Sequence, residues 1–313
     1  MACGNRLWAH GKRRGAPAWP GLITGLRDGF LRTVSMARQV MEAHAKVHPP
    51  SVWACQIAGC NAVLAAGLLE IDVTRAQTAG AVWKFAGQTN EPWEKGQRRP
   101  FNALLKRNCY LLGSCFKRLS AGEKSDEEVA EALLRTDAKK AGEPPPDAKE
   151  LERRLRRLDR DDALLERVQA KQARAAKRRD NLHKPEYLYV RMYAERKAEE
   201  IRRNQDGELA EQALIKLENA RKQRWQITDG MRKCWEAGRL QPCGLDLRAM
   251  RHAVKMFLSH YWEVGRHLAG LPIPNPWALE HGGHVHYIPP PCRTPPEKTN
   301  GKPRRRAAAL AGV

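Results

Sequence analysis

The sequence predicts a mainly α fold: a helical bundle interrupted by a long charged helical insertion. Three observations carry that expectation. Apolar residues recur at helical spacing in several long segments, as in Leu104, Leu105, Cys109, Leu112, Phe116 and Leu119. Runs that alternate apolar and polar residues, the mark of half-buried strands, are scarce. A dense stretch of charge from Gly122 to Asn181, broken by Pro144, Pro145 and Pro146, carries leucines at helical intervals.

The elements follow in order. Residues 1–20 are rich in Gly, Pro and Arg and read as a flexible basic N-terminus. Leu26, Phe30, Val34, Met41 and Val47 then keep helical spacing until "HPP" at 48–50 stops the helix. Ser51 is placed to cap a short helix. Thr78 is placed to cap "AGAVWKFA", with Gly87 as its left-handed terminator. "TNEPWEKGQRRPFN", residues 89–102, is turn-rich and reads as a loop or small hairpin. The strongly amphipathic helix from Asn102 closes a first core region at 21–120.

Within 121–182, Leu151, Leu155, Leu158 and Leu165 hint at a heptad, but Asp162, Gln169 and Gln172 fall on its seam. A solitary solvated helix or a marginal coiled coil is expected there, an insertion rather than a site. Order resumes over 183–290, where Tyr189, Tyr193, Leu209, Ala213 and Leu217 face a core. A last long helix near Leu245–Leu268 presents Met250, Val254, Phe257, Leu258, Tyr261 and Val264. Residues 291–313 read as a disordered basic tail that contains "KPRRR".

The 313 residues, 42% hydrophobic, suffice for one large domain or two small ones and argue against disorder throughout. Against 35 Asp+Glu stand 56 Lys+Arg, a formal charge of +21. Such an excess attracts polyanions, and nucleic acid comes ahead of an anionic membrane or an acidic protein. Lys12, Arg13 and Arg14 are followed by Pro17 and Pro20, which break any secretory core, and the weakly polar run Ala58–Leu69 is too short to span a bilayer. A cytoplasmic location is expected, without a membrane. The 8 cysteines form no Cys-x-x-Cys pair, and Cys55, Cys109 and Cys115 fall in apolar helical patterns as reduced core thiols.

The stretch "IAGCNAVLAAGLLEID", residues 57–72, sets a tight turn before a helix of small residues, Ala62 to Leu69. Two short helices joined by hydrophobic-x-Gly-x-Gly make a helix-hairpin-helix, and Ile57, Gly59 and Asn61 fill those places. Asn is the residue that best replaces Gly where the backbone is left-handed. The first N–H groups of the second helix, at Ala62 and Val63, would face outward as a seat for phosphate. Lys84, Lys95, Arg98, Arg99, Lys106 and Arg107 follow, with Trp93 among them, a mixture suited to a sugar-phosphate backbone or an unstacked base. Trp83 reads as a core position instead.

These residues resemble a known family. "IAGCNAVLAAGLLEIDVTRAQTAGAVWKFAGQ" is similar to the "GIGPxxAAxLLAxIxDxxRFxxAxxLAxYAGL" region of insertion-sequence transposases of the one-ten family, the 116/110/902 group. "RPFNALLK" sets Asn102, Leu105 and Lys106 where that family has Lys-Arg-Gly-Asn-x-x-Leu-Arg. "YVRMYAERKAEEIRRN" and "RAMRHAVKMFLSHYWEV" are also similar to phage- and plasmid-borne relatives. The resemblance covers about 51–119 and about 187–290, the helix-hairpin-helix half of such proteins. It implies strand exchange of a mobile element, with a four-acid RNase-H-like domain and a serine nucleophile. The four-acid domain is not expected here, since about fifty residues precede the hairpin and such a fold needs on the order of a hundred. Where relatives carry a Ser-Gly pattern this chain reads Trp93, Glu94, Lys95, Gly96.

Ser114 and Ser120 are the remaining candidates for a nucleophile, although the sequence positions no base beside either. Asp72, Glu91 and Glu94 are scattered, and Asp126, Glu127 and Glu128 are adjacent and diverge on a helix. No cofactor is therefore expected, and magnesium only if a partner supplies the acidic site. "EHGGHVHYIPPPC" brings Glu280, His281, His284, His286 and Cys292 together, but their spacing fits no zinc pattern, and packing or solvated histidines are expected. The expected function is that of a transposase-like protein that grips the DNA backbone without reading sequence. Two other readings differ in kind: a serine recombinase subunit completed by a partner transposase subunit, or a helical adaptor that binds RNA or its own copies through the charged insertion.

Overall fold

The computed structural model describes residues 20–89, 91, 93, 96–120, 122, 125–158, 161–275 and 286–292. The segments read as a flexible N-terminus and a basic tail lie almost wholly outside them. Helices make up 70% of the structure, and no strand occurs among the described residues. In chain order they are α1 (Pro20–Val47), α2 (Pro49–Gln56), α3 (Ala62–Ala66), α4 (Ala79–Phe85), α5 (Ala103–Leu119), α6 (Asp126–Ala141), α7 (Ala148–Leu155), α8 (Asp162–Asp180), α9 (Leu188–Gln205), α10 (Ala210–Lys222), α11 (Asp229–Glu236) and α12 (Pro242–Leu268).

Short polar side chains start most of these helices by accepting a hydrogen bond from an otherwise orphaned N–H. Asn61, Thr78, Asn102, Asp147, Asp161 and Thr228 do so, and Ser125 forms a full capping box with Glu128. Gly87 ends α4 with φ +62, the left-handed terminator that the sequence predicts. Ser51 does not cap α2. That helix starts on Pro49 and Pro50 after His48, and Ser51 is buried one turn inside, bonded to His48 Nδ1 at 2.9 Å. Proline at a first helical turn needs no cap, because the N–H it lacks would have no partner there.

Helix α12 is the axis of the bundle. It packs against α2, α4, α5 and α9, and the aromatic centre is formed by Phe116, Tyr189 and Phe257, with Tyr189 and Phe257 edge to face at 5.2 Å. Trp53 adds a fourth ring at 5.5 Å from Phe257. Asp246 on α12 accepts from the Tyr193 hydroxyl of α9 at 2.8 Å and from the ammonium groups of Lys117 on α5 and Lys197 on α9. Burial alone would raise its pKa, but these three donors hold the carboxylate below its ordinary value and lock the three helices together. Residues 286–292 lie across the core, where Pro291 and Ile288 offer their carbonyls to Trp53 Nε1 at 2.7 Å and His260 Nε2 at 2.9 Å.

Two smaller clusters stand apart from this core. Val129, Leu133, Leu134, Leu151, Leu158, Leu164 and Val168 gather where α6 packs on α7 and α8. The insertion is thus three helices around a small core of their own, not a solitary helix. Leu151 and Leu158 serve an intramolecular seam rather than a heptad. Leu209, just before α10, and Ala213 and Leu217 within it do face a core, one they share with Trp235 of α11 and with Leu240 and Leu245. Of the cysteines read as core thiols, Cys109 is buried and its pKa is pushed up to about 12 by desolvation, Cys115 is half-buried, and Cys55 is exposed. No helix among the described residues is long and apolar enough to cross a membrane.

Candidate nucleic-acid interface

The hairpin between α2 and α3 is shaped by one left-handed residue. Gly59 has φ +94, and a Cβ there would meet Cys115 Cβ and Leu119 Cδ1 at 3.2 Å, so the turn lies directly on α5. Asn61 departs from the expected left-handed state. Its φ and ψ are −86 and 171, extended, because its carboxamide oxygen caps α3 by accepting from Leu64 N at 3.0 Å, and an N-cap needs extended backbone. The second helix is also shorter than Ala62–Leu69. It ends at Ala66, where Gly67 presses against the Asn108 carboxamide, and Asn108 Nδ2 donates to the Leu64 carbonyl at 2.9 Å. Gly67 thus lets α5 approach through Asn108, while α3 also packs against α1 and α2. Among the described residues, the N–H groups of Ala62 and Val63 keep no protein acceptor.

A groove of about 480 Å³ runs beside this turn. Asn61 and Val63 line it together with Tyr110 and Ser114 of α5, Arg38 and Arg118, and the paired Lys117 and Asp246. Helix α5 continues outward from it along an exposed face that carries Lys106 and Arg107 one turn before Tyr110.

There α5 meets a basic ridge on α12. Arg248, Arg251 and Lys255 follow at i, i+3 and i+7, so they share one face, although Arg248 is paired with the buried Glu200 at 2.6 Å. Lys106 is held below its ordinary pKa, by desolvation first and then by the charges of Arg251 and Arg99. Lys255 is lowered by desolvation and then by Arg251, and Lys216 by desolvation and then chiefly by Arg248. Cations crowded this closely are stabilised by a polyanion that spreads over them. Two aromatic platforms belong to the same surface. The Arg99 guanidinium lies 5.6 Å from the centre of the exposed Trp93 ring, and Lys106 Nζ lies 4.1 Å from that of Phe101. Trp83 is core packing, its Nε1 donating to the Lys255 carbonyl at 2.9 Å.

The residues singled out from sequence thus divide. Arg98, Arg99, Lys106 and Arg107 lie exposed near one another on and before α5. Lys84 is nearby but paired with Glu91 at 3.1 Å, and Lys95 lies outside the described residues. Arg248, Arg251, Lys255 and Lys216 escaped the sequence reading, although the spacing in "RAMRHAVK" announces the ridge.

Neither candidate nucleophile is set up for attack. The Ser114 hydroxyl donates to the Tyr110 carbonyl at 2.8 Å and that of Ser120 to the Lys117 carbonyl at 2.9 Å, with no base hydrogen-bonded to either among the described residues. The acids do not fit the four-acid metal site that the transposase resemblance implies. Asp72 is taken up by Thr74 and Arg75, Glu91 by Lys84 and Asp126 by Gln172, and no cluster of three ligating groups occurs among the described residues. Glu280, His281 and His284 lie outside those residues. Comparison of the chain with protein-family models, curated proteins and solved structures returns no match.

Proposed function

We propose that this chain is a transposase-like DNA-binding protein of a mobile element or prophage, acting in the cytoplasm in DNA transposition or recombination. The crowded cations of Arg99, Lys106, Arg251 and Lys255 carry this reading, because their mutual repulsion is relieved by a phosphate backbone. The duplex lies along the exposed face of α5, between the ridge and the groove beside the hairpin. Arg38 and Arg118 line that groove, and the Ala62 and Val63 N–H groups supply neutral donors to phosphate. All of these contacts address the backbone, so the grip is independent of sequence.

The similarity of residues 51–119 and 187–290 to the one-ten transposases supplies the biological setting. The role drawn from it is binding rather than strand transfer, since both serine hydroxyls are engaged by helix carbonyls. Fluorescence anisotropy with two unrelated duplexes of equal length tests the reading. Affinities within about threefold of each other, both falling steeply with salt, are expected. A chain that binds neither duplex at low salt overturns it.

A further inference from the structure

The loop between α10 and α11 borders an open surface pocket of about 370 Å³, within the size range of small-molecule sites. Leu217 and Ile227 give it apolar lining, the half-exposed indole of Trp225 forms a wall, and Arg221, Arg224 and Arg232 surround it. None of these three guanidinium groups is in an ion pair among the described residues, whereas the neighbouring Lys222 is paired with Glu218 at 2.6 Å. An apolar floor, an aromatic face and three available guanidinium groups match a base with its phosphates, and they match no purely apolar ligand.

The backbone supplies an independent observation. Helix α10 ends in a closure in which Trp225 N donates to the Ala220 carbonyl, and the residue before Trp225 is left-handed. The same closure recurs across the fold, and Gly87, Gly142, Gly207, Gly238 and Gly270 hold the left-handed place in it. At α10 the place belongs to Arg224, with φ +50, a conformation disfavoured for any residue with a Cβ. The strained conformation thus falls on a residue whose side chain lines the pocket.

We propose that the α10–α11 pocket is a second nucleic-acid subsite that holds one nucleotide of a single strand, its base on Trp225 and its phosphates on Arg221, Arg224 and Arg232. This deepens the nucleic-acid reading. The ridge on α5 and α12 grips duplex, and this subsite takes an unpaired strand.

The test uses the full chain with a labelled single-stranded dA 12-mer, AMP, and a duplex. Trp225→Ala should weaken 12-mer binding by about tenfold, within the usual range for one stacked base, and leave duplex affinity unchanged. Arg221→Gln and Arg232→Gln should each lower the salt slope for the 12-mer by about 0.7. Arg224→Gly relieves the backbone, so its melting temperature should hold or rise while 12-mer binding falls. Unchanged 12-mer affinity in Trp225→Ala and Arg224→Gly overturns the subsite, and so does an equal loss for duplex. AMP bound as tightly as the 12-mer overturns the strand as the ligand. Failure of the wild-type chain to bind duplex bears on the ridge alone.

Discussion

The Tyr189 hydroxyl and His260 Nδ1 meet at 2.7 Å inside the core. His260 Nε2 faces the Ile288 carbonyl, which only accepts, so Nε2 carries the proton and Nδ1 accepts from Tyr189. Desolvation lowers the imidazole pKa to about 4. The unfolded chain, with an ordinary histidine near 6.5, therefore binds a proton that the folded chain refuses between these values. This contribution to stability is complete above pH 6.5 and is lost as pH falls towards 4. Urea unfolding should show a loss of about 3 kcal/mol from this group between neutral pH and pH 4, and His260→Gln should shed that part of the dependence. An identical pH profile in the variant would show that His260 titrates normally.

Gly59 and Asn61 should behave differently on substitution. Gly59→Ala meets both a left-handed backbone and side chains of α5 at 3.2 Å, and should cost about 1–3 kcal/mol. Asn61→Ala loses only the cap, about 1 kcal/mol, while Asn61→Asp keeps it. Thermal melts of the three variants check the order.

The α6–α8 unit has its own core, so damage there should stay local. Val168→Ala, at a fully buried position, should cost about 1–3 kcal/mol in that unit. Hydrogen exchange should quicken over 126–180 while Phe116, Tyr189 and Phe257 and their helices keep their protection. Exchange that quickens equally in α12 would mean that the clusters unfold together.

Glu200 is fully buried between Arg248 at 2.6 Å and Arg196 at 2.6 Å. Burial opposes its charge, but these arginines hold its pKa below the ordinary value. Glu200→Ala leaves Arg248 without its carboxylate and Arg196 with Glu199 alone, at 3.0 Å, and should destabilise the α9–α12 contact by about 3 kcal/mol. Chemical denaturation measures it.

Much of this architecture was legible from sequence where one principle acted alone. The helical period of Leu105, Cys109, Leu112 and Phe116, the Thr78 cap and the Gly87 terminator each had one local reading. Asn61 did not, since asparagine suits a left-handed turn and an N-cap equally, and only the path of α3 decides between them. The insertion misled because its leucines were read along one helix, whereas Val129, Leu133 and Val168 complete their core from other helices. Charge was legible in amount but not in pairing. Nothing local says that Glu91 neutralises Lys84, or that Arg251 stands beside Lys106 from a helix more than a hundred residues away.

The most direct measurement of the central claim is the salt dependence of duplex binding in the wild type and in a chain carrying Arg99→Gln, Lys106→Gln and Arg251→Gln. If the ridge where α5 meets α12 grips the phosphate backbone, the slope of log affinity against log salt falls by about 0.9 for each cation that contacts a phosphate, whatever the DNA sequence. A well-folded triple variant with the wild-type slope and affinity would contradict the account.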